Sequence, residues 1–161
     1  MRLPSWAFLV EVPPLPRGVR FACGPLPPAP YLAAAHALME SGFSTIACLL
    51  DTEEMPPQWR DACAAAGLRF LHHPIADYGI PADAWSFRTW LSQLLDELAR
   101  GRGLYLHCRG GLGRTGTAFG CLLALAGGVE DPVAFVRRVY MRGAIESGEQ
   151  ERFVLDFARC S

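Results

Sequence analysis

The chain contains no lysine, no apolar run long enough to cross a bilayer, and no pair of cysteines at metal-ligand spacing. Its 15 basic residues are all arginine against 16 acidic ones, for a net charge of −1. The all-arginine bias points to a GC-rich, bacterial-type genome rather than to a function. A near-neutral balance argues against a nucleic-acid-binding protein, which would need a clustered basic face. The longest apolar stretch, Phe119 to Val129, is interrupted by glycines and falls short of the ~18 residues of a membrane span. Met1 to Trp6 lacks the apolar core of a secretory leader, so the expected location is cytoplasmic. The six cysteines, at 23, 48, 63, 108, 121 and 160, show no Cys-x2-Cys spacing, which fits reduced thiols in a reducing compartment and no structural metal. Nothing in the composition calls for a cofactor.

What is present is an ordinary globular chain. With 161 residues, 51% of them hydrophobic, it is long enough to bury a core without staples, and residues 1–161 are expected to form a single, monomeric domain. Apolar segments at Trp6–Val12, Val19–Ala22, Thr45–Leu50, Leu68–His72 and Leu104–His107 read as strands. Helical patterns fall at Tyr31–Ser41, Gln58–Ala66, Ala84–Ala99, Arg114–Ala126, Pro132–Met141 and Glu149–Ala158. This alternation predicts an α/β fold, a mainly parallel central sheet with helices on both faces. Ligands of such sheets sit beyond the carboxyl ends of the strands. The segments after Leu50, His72 and His107 emerge there and bring Asp51, Asp77 and Cys108 toward one edge.

The loop from His107 to Gly116, His-Cys-Arg-Gly-Gly-Leu-Gly-Arg-Thr-Gly, joins a buried strand to a buried helix. Backbone N–H groups of such a loop converge on an anion, and the helix dipole adds positive charge at the same point. Gly110, Gly111 and Gly113 permit close approach. Arg109 and Leu112 complete the cradle, and Arg114 presents a planar fork suited to two phosphate oxygens. A cysteine at the mouth of such a nest is expected to have its pKa lowered from ~8.5 into roughly the 3.5–7.5 range, which makes Cys108 a nucleophile. Thr115 is placed to give its hydroxyl to the sulfur as a leaving group, and His107 to hold the loop by hydrogen bonds.

A thiolate that cleaves a phosphate ester also needs an acid for the departing oxygen, worth ~10²–10⁴-fold. The turn-rich segment His72 to Asp83 offers two carboxylates. Asp83 precedes a helical pattern and reads as its N-cap. Asp77, bracketed by Pro74, Gly79 and Pro81, has no helix to cap and reads as the general acid, with Asp51 as a supporting or alternative carboxylate. Gln150 completes a Ser147-x-x-Gln capping box, a reading favoured over the positioning of a water. Arg137, Arg138 and Arg142 read as a solvated basic face. His72 and His73 lie near Asp77, but adjacent strand residues point to opposite faces, which argues against a metal triad. Cys48 reads as a buried structural thiol ahead of a partner for an oxidised Cys108.

His-Cys-x2-Gly-x2-Arg-Thr-Gly at a strand–helix junction resembles the signature loop of the cysteine-dependent protein tyrosine and dual-specificity phosphatases. The stretch His-His-Pro-Ile-Ala-Asp upstream, followed by Gly, Pro and a helix, is similar to the cyclin-dependent kinase-associated branch of the dual-specificity enzymes. There the residue in the place of Asp77 is the general acid, and a Gly-Ala-Ile segment with a glutamine packs behind the phosphate loop. The resemblance runs from about Ser44 to Phe157. It implies a phosphomonoester hydrolase with a phosphocysteine intermediate, no cofactor or metal, and a phosphorylated protein or peptide as substrate. The short chain leaves little room for an elaborate phosphotyrosine-recognition segment, which suggests mixed specificity. Phosphoinositide phosphatases often carry two basic residues in this loop. Here only Arg109 is basic between Cys108 and Arg114, so lipid or inositol phosphate is the second choice. A phosphoresidue-binding module without turnover and a rhodanese-type sulfurtransferase are the rivals from other classes. An acid at Asp77 is superfluous in both.

Overall fold

The computed structural model describes residues 2–161. Five strands, β1 (Phe8–Leu9), β2 (Phe21–Gly24), β3 (Phe43–Cys48), β4 (Arg69–His72) and β5 (Gly103–His107), form one sheet in the order β1-β2-β5-β3-β4. Only β1 runs antiparallel to its neighbour; the others are parallel. The predicted first strand, Trp6–Val12, is cut to two residues. Prolines at 4, 13, 14 and 16 deprive the segment of ladder donors on both sides, and Trp6 packs edge-on against Tyr105 instead.

Six helices cover the two faces: α1 (Tyr31–Glu40), α2 (Pro57–Ala65), α3 (Ala84–Ala99), α4 (Gly113–Ala126), α5 (Pro132–Val139) and α6 (Gly148–Arg159). Alternation along the strands divides the core. Ala22, Ile46 and Tyr105 join α1 and α2 through Leu38 and Trp59, while Cys23, Ala47 and Leu106 join the other four helices through Leu91, Phe119, Val136 and Val154. Strands buried on both sides read as continuous apolar runs, as the central ones here do. Asp83 caps α3 by accepting from the N–H groups of Trp85 and Ser86, and Asp131 caps α5 by accepting from Ala134. No helix among the described residues is long and apolar enough to cross a membrane.

Parallel pairing aligns Cys48 of β3 with His107 of β5 and His72 of β4. The chain therefore leaves three adjacent strands on one edge, and the three loops that follow meet there.

Candidate active site

The loop between β5 and α4 is held by its carbonyls. Cys108 O faces His107 Nδ1 at 2.9 Å, Arg109 O accepts from Leu26 N, and Gly111 O accepts from the Tyr140 hydroxyl at 2.6 Å. Leu112 O accepts from Gly116 N and Ile145 N, and Gly113 O from the Thr117 hydroxyl. With these carbonyls taken, the loop can turn amides inward, as Gly111 N does toward Cys108 Sγ, which makes an anion nest at the start of a buried helix. Gly111 is indispensable to that path. Its φ is +78°, and a Cβ there would lie 2.6 Å from the carbonyl carbon of Gly24.

Cys108 sits in the nest, 3% exposed, its Sγ accepting from Gly111 N at 3.2 Å. Its neighbour His107 is fully buried. Trp59 Nε1 can only donate, so His107 Nε2 accepts at 3.0 Å and the ring proton resides on Nδ1, directed at Cys108 O. Burial, with Arg114 and His72 near, pushes the His107 pKa down to about 4. The ring is a neutral strut.

Arg114, 2% exposed in its side chain, is gripped from the two neighbouring loops. Nη1 donates to Glu54 Oε2 at 2.5 Å and to Ile75 O at 2.9 Å; Nη2 donates to Glu54 Oε1 at 3.2 Å and to Asp77 Oδ1 at 3.0 Å. Glu54 also accepts from Arg109 Nε at 3.2 Å. The bond from Arg114, outweighing partial burial, holds the Glu54 carboxyl at about 2.

Asp77, the acid expected from the sequence, lies at the cavity, and Asp51 does not. The Asp51 carboxylate turns back to its own Thr52 N–H, and the residue that enters from the β3–α2 turn is Glu54. Nothing in the spacing of Asp-Thr-Glu-Glu singles out Glu54. The available signal was an acidic turn at the carboxyl edge of a central strand, opposite a guanidinium that needs a counter-charge. Thr115 also departs from expectation. Its Oγ1 is buried with no hydrogen-bond partner among the described residues, so it does not bond the sulfur here.

Gln150 ties the remaining wall together. It completes the capping box with Ser147, accepts from Glu146 N at 2.9 Å, and donates from Nε2 to Gly79 O at 3.1 Å on the Asp77 loop. Arg137 is not part of a solvated face. It binds Ala144 O, Ile145 O and Glu151, bracing the segment behind the β5–α4 loop. His72 bonds Leu50 O, and His73 packs on Phe87 and Trp90. Burial pushes the Cys48 thiol up to about 12.

The resulting cavity, about 190 Å³, is lined by Cys108, Arg114, Gly110, Gly113, Asp77, Tyr78 and Glu146. A larger hollow of about 480 Å³ by Leu9, Phe135 and Val139 holds no nucleophile. A buried thiol inside converging amides, a guanidinium over it and a half-exposed carboxylate at the lip can accept a tetrahedral anion, attack it and protonate what leaves.

A family model described as "Swiss Army Knife protein, DSP-PTPase phosphatase domain" matches residues 29–154. An uncharacterized protein of Methanocaldococcus jannaschii is 37% identical over 89 residues, 55% of this chain and 59% of that protein. The chain thus spans little more than half the length of that curated relative. Among solved structures, Tk-PTP in its active form superposes with a TM-score of 0.76 at 25% identity, covering 91% of this chain and 97% of that one. Kinase associated phosphatase, crystallised with its catalytic-site cysteine replaced by serine, superposes with a TM-score of 0.78 at 25% identity, covering 87% and 86%.

Proposed function

Because the chain belongs to the DSP-PTPase phosphatase family, we propose that it is a cysteine-dependent phosphatase of phosphorylated proteins or peptides, acting as one catalytic unit over residues 1–161. The observation that carries this reading is the convergence on one cavity of Cys108 Sγ, held by Gly111 N, with Arg114 and Asp77 in mutual contact.

In this mechanism the Cys108 thiolate attacks phosphorus in line with the ester oxygen. The S–P bond forms as the P–O bond breaks, and Asp77 gives its proton to the departing oxygen. The nest amides of residues 109–113 and the Arg114 guanidinium hold the charge on the equatorial oxygens. Water then attacks the phosphocysteine, Asp77 takes its proton, and the S–P bond breaks to release phosphate and thiolate. The Thr115 hydroxyl, unpartnered among the described residues, turns to that thiolate to stabilise it. Glu54 and His107 position the guanidinium and the loop without touching substrate.

The test is phosphate release from a phosphotyrosyl peptide, a phosphothreonyl peptide and an inositol phosphate. Cys108→Ser is expected to abolish turnover, and Asp77→Asn to accumulate labelled phosphocysteine. Full activity in Cys108→Ser overturns the mechanism. Faster turnover of the inositol phosphate than of either peptide overturns the substrate class.

A further inference from the structure

Glu146 stands at the cavity with no role in the mechanism above. Its carboxylate reaches over the first residue of α4, where a Cβ built on Gly113 would lie 2.6 Å from Oε2. It is exposed, lines the same cavity as Cys108, and forms no ion pair among the described residues. The neighbouring carboxylates are already matched: Asp77, also at the cavity, holds Arg114, and Glu54 behind it holds Arg109 and Arg114. Glu146 is the acid left without a cation.

Tyr78 lines the same cavity, 67% exposed. It adopts φ +58°, a left-handed conformation uncommon for a bulky residue, so local structure holds the ring out at a cost. One side chain fixes both. Gln150 donates to Gly79 O, next to Tyr78, and accepts from the backbone N–H of Glu146. The lip thus offers a carboxylate and an aromatic face, held by a common brace, next to where a phosphate would sit.

A phosphomonoester flanked by a second anion meets repulsion from Glu146. One flanked by a guanidinium meets a carboxylate to pair with and a ring to lie upon. We propose that Glu146 and Tyr78 form a subsite for an arginine side chain beside the phosphorylated residue, so that the enzyme selects basic phosphopeptides. This rests on the reading of the cavity as a phosphomonoesterase site.

The experiment compares kcat/KM on phosphotyrosyl peptides that differ only in carrying Arg, Ala or Glu beside the phosphoresidue, with p-nitrophenyl phosphate as reference. The wild-type protein is expected to favour Arg over Glu by about tenfold at low salt and by much less near 1 M salt, where screening reaches ~3 Å. Glu146→Gln brings the Arg/Glu ratio to within about twofold, the ratio being taken within each variant so that any common change on the Ala peptide and p-nitrophenyl phosphate cancels. Glu146→Asp keeps part of the preference, Glu146→Arg inverts it, and Tyr78→Leu lowers the Arg/Ala ratio. An unchanged Arg/Glu ratio in Glu146→Gln overturns the proposal, as does a wild-type enzyme indifferent to the flanking residue. No turnover of p-nitrophenyl phosphate by the wild-type protein would instead overturn the phosphatase reading itself.

Discussion

Asp77 Oδ1 lies 3.0 Å from Arg114 Nη2, on the guanidinium that would grip a phosphate, while Nη1 is committed to Glu54 and Ile75. Both Nη2 hydrogens are engaged, one by Asp77 and one by Glu54, and Nε has no side-chain partner among the described residues. A two-pronged grip on phosphate therefore displaces Asp77 from Arg114, and the acid and the anion compete for one N–H.

That competition separates binding from chemistry. Asp77→Ala is expected to lower kcat on an alkyl phosphate by ~10²–10⁴-fold and to tighten inhibition by inorganic phosphate or vanadate several-fold. Steady-state kinetics with a phosphate inhibition series measure both. A weaker inhibitor constant in the variant would show that Asp77 assists the anion rather than competing with it.

Glu54 makes part of the stability depend on acid pH. Its folded pKa of about 2 lies below the ordinary carboxyl value of 4.5, so its contribution is present above pH 4.5 and is lost as pH falls toward 2. Glu54→Gln is expected to cost about 1–3 kcal/mol at pH 7, discounted for its partial exposure, with the difference from wild type closing toward pH 2. Urea unfolding at pH 7, 4 and 2.5 reads it. The variant should also lose kcat/KM, because Arg109 and Arg114 lose their common partner.

His107 acts in a different window. Its folded pKa of about 4 is below the ordinary 6.5, so between those values the unfolded chain takes up a proton that the folded one refuses. Stability therefore falls as pH drops from 6.5 to 4, by up to ~3 kcal/mol. Nitrogen NMR should show the Nδ1–H tautomer at pH 7. Trp59→Phe, which removes the donor to Nε2, is expected to cost about 1–3 kcal/mol for the unpaired buried nitrogen.

Two adjacent loop glycines should respond oppositely to a methyl group. At Gly111 the positive φ and the 2.6 Å approach to Gly24 make Ala incompatible with the loop, and activity should fall by roughly 10²-fold or more. At Gly110 no atom of the described residues beyond its chain neighbours lies within 4 Å of where a Cβ would stand, so Gly110→Ala should keep the melting temperature within a few degrees. Melting curves and single-point rates on both variants are sufficient.

The order of strands and helices along the chain, the Asp83 and Ser147 caps, and the glycine-rich strand-to-helix loop from His107 to Gly116 were legible in the sequence. Each rests on local causes: apolar periodicity, side-chain oxygens beside free N–H groups, and glycines where the backbone must turn in. The residues that hold the site were not legible. Glu54 and Trp59 look in sequence like a surface acid and a helix-core aromatic. Only the parallel register of β3, β4 and β5 brings the turn after Cys48 and the face of α2 against Arg114 and His107. Arg137 read as a solvated charge until the chain beyond α5 folded its carbonyls back onto it. Cys108 and the loop around it are set by residues adjacent in the chain. The partners that orient them are set by distances between loops, which exist only once the sheet has formed.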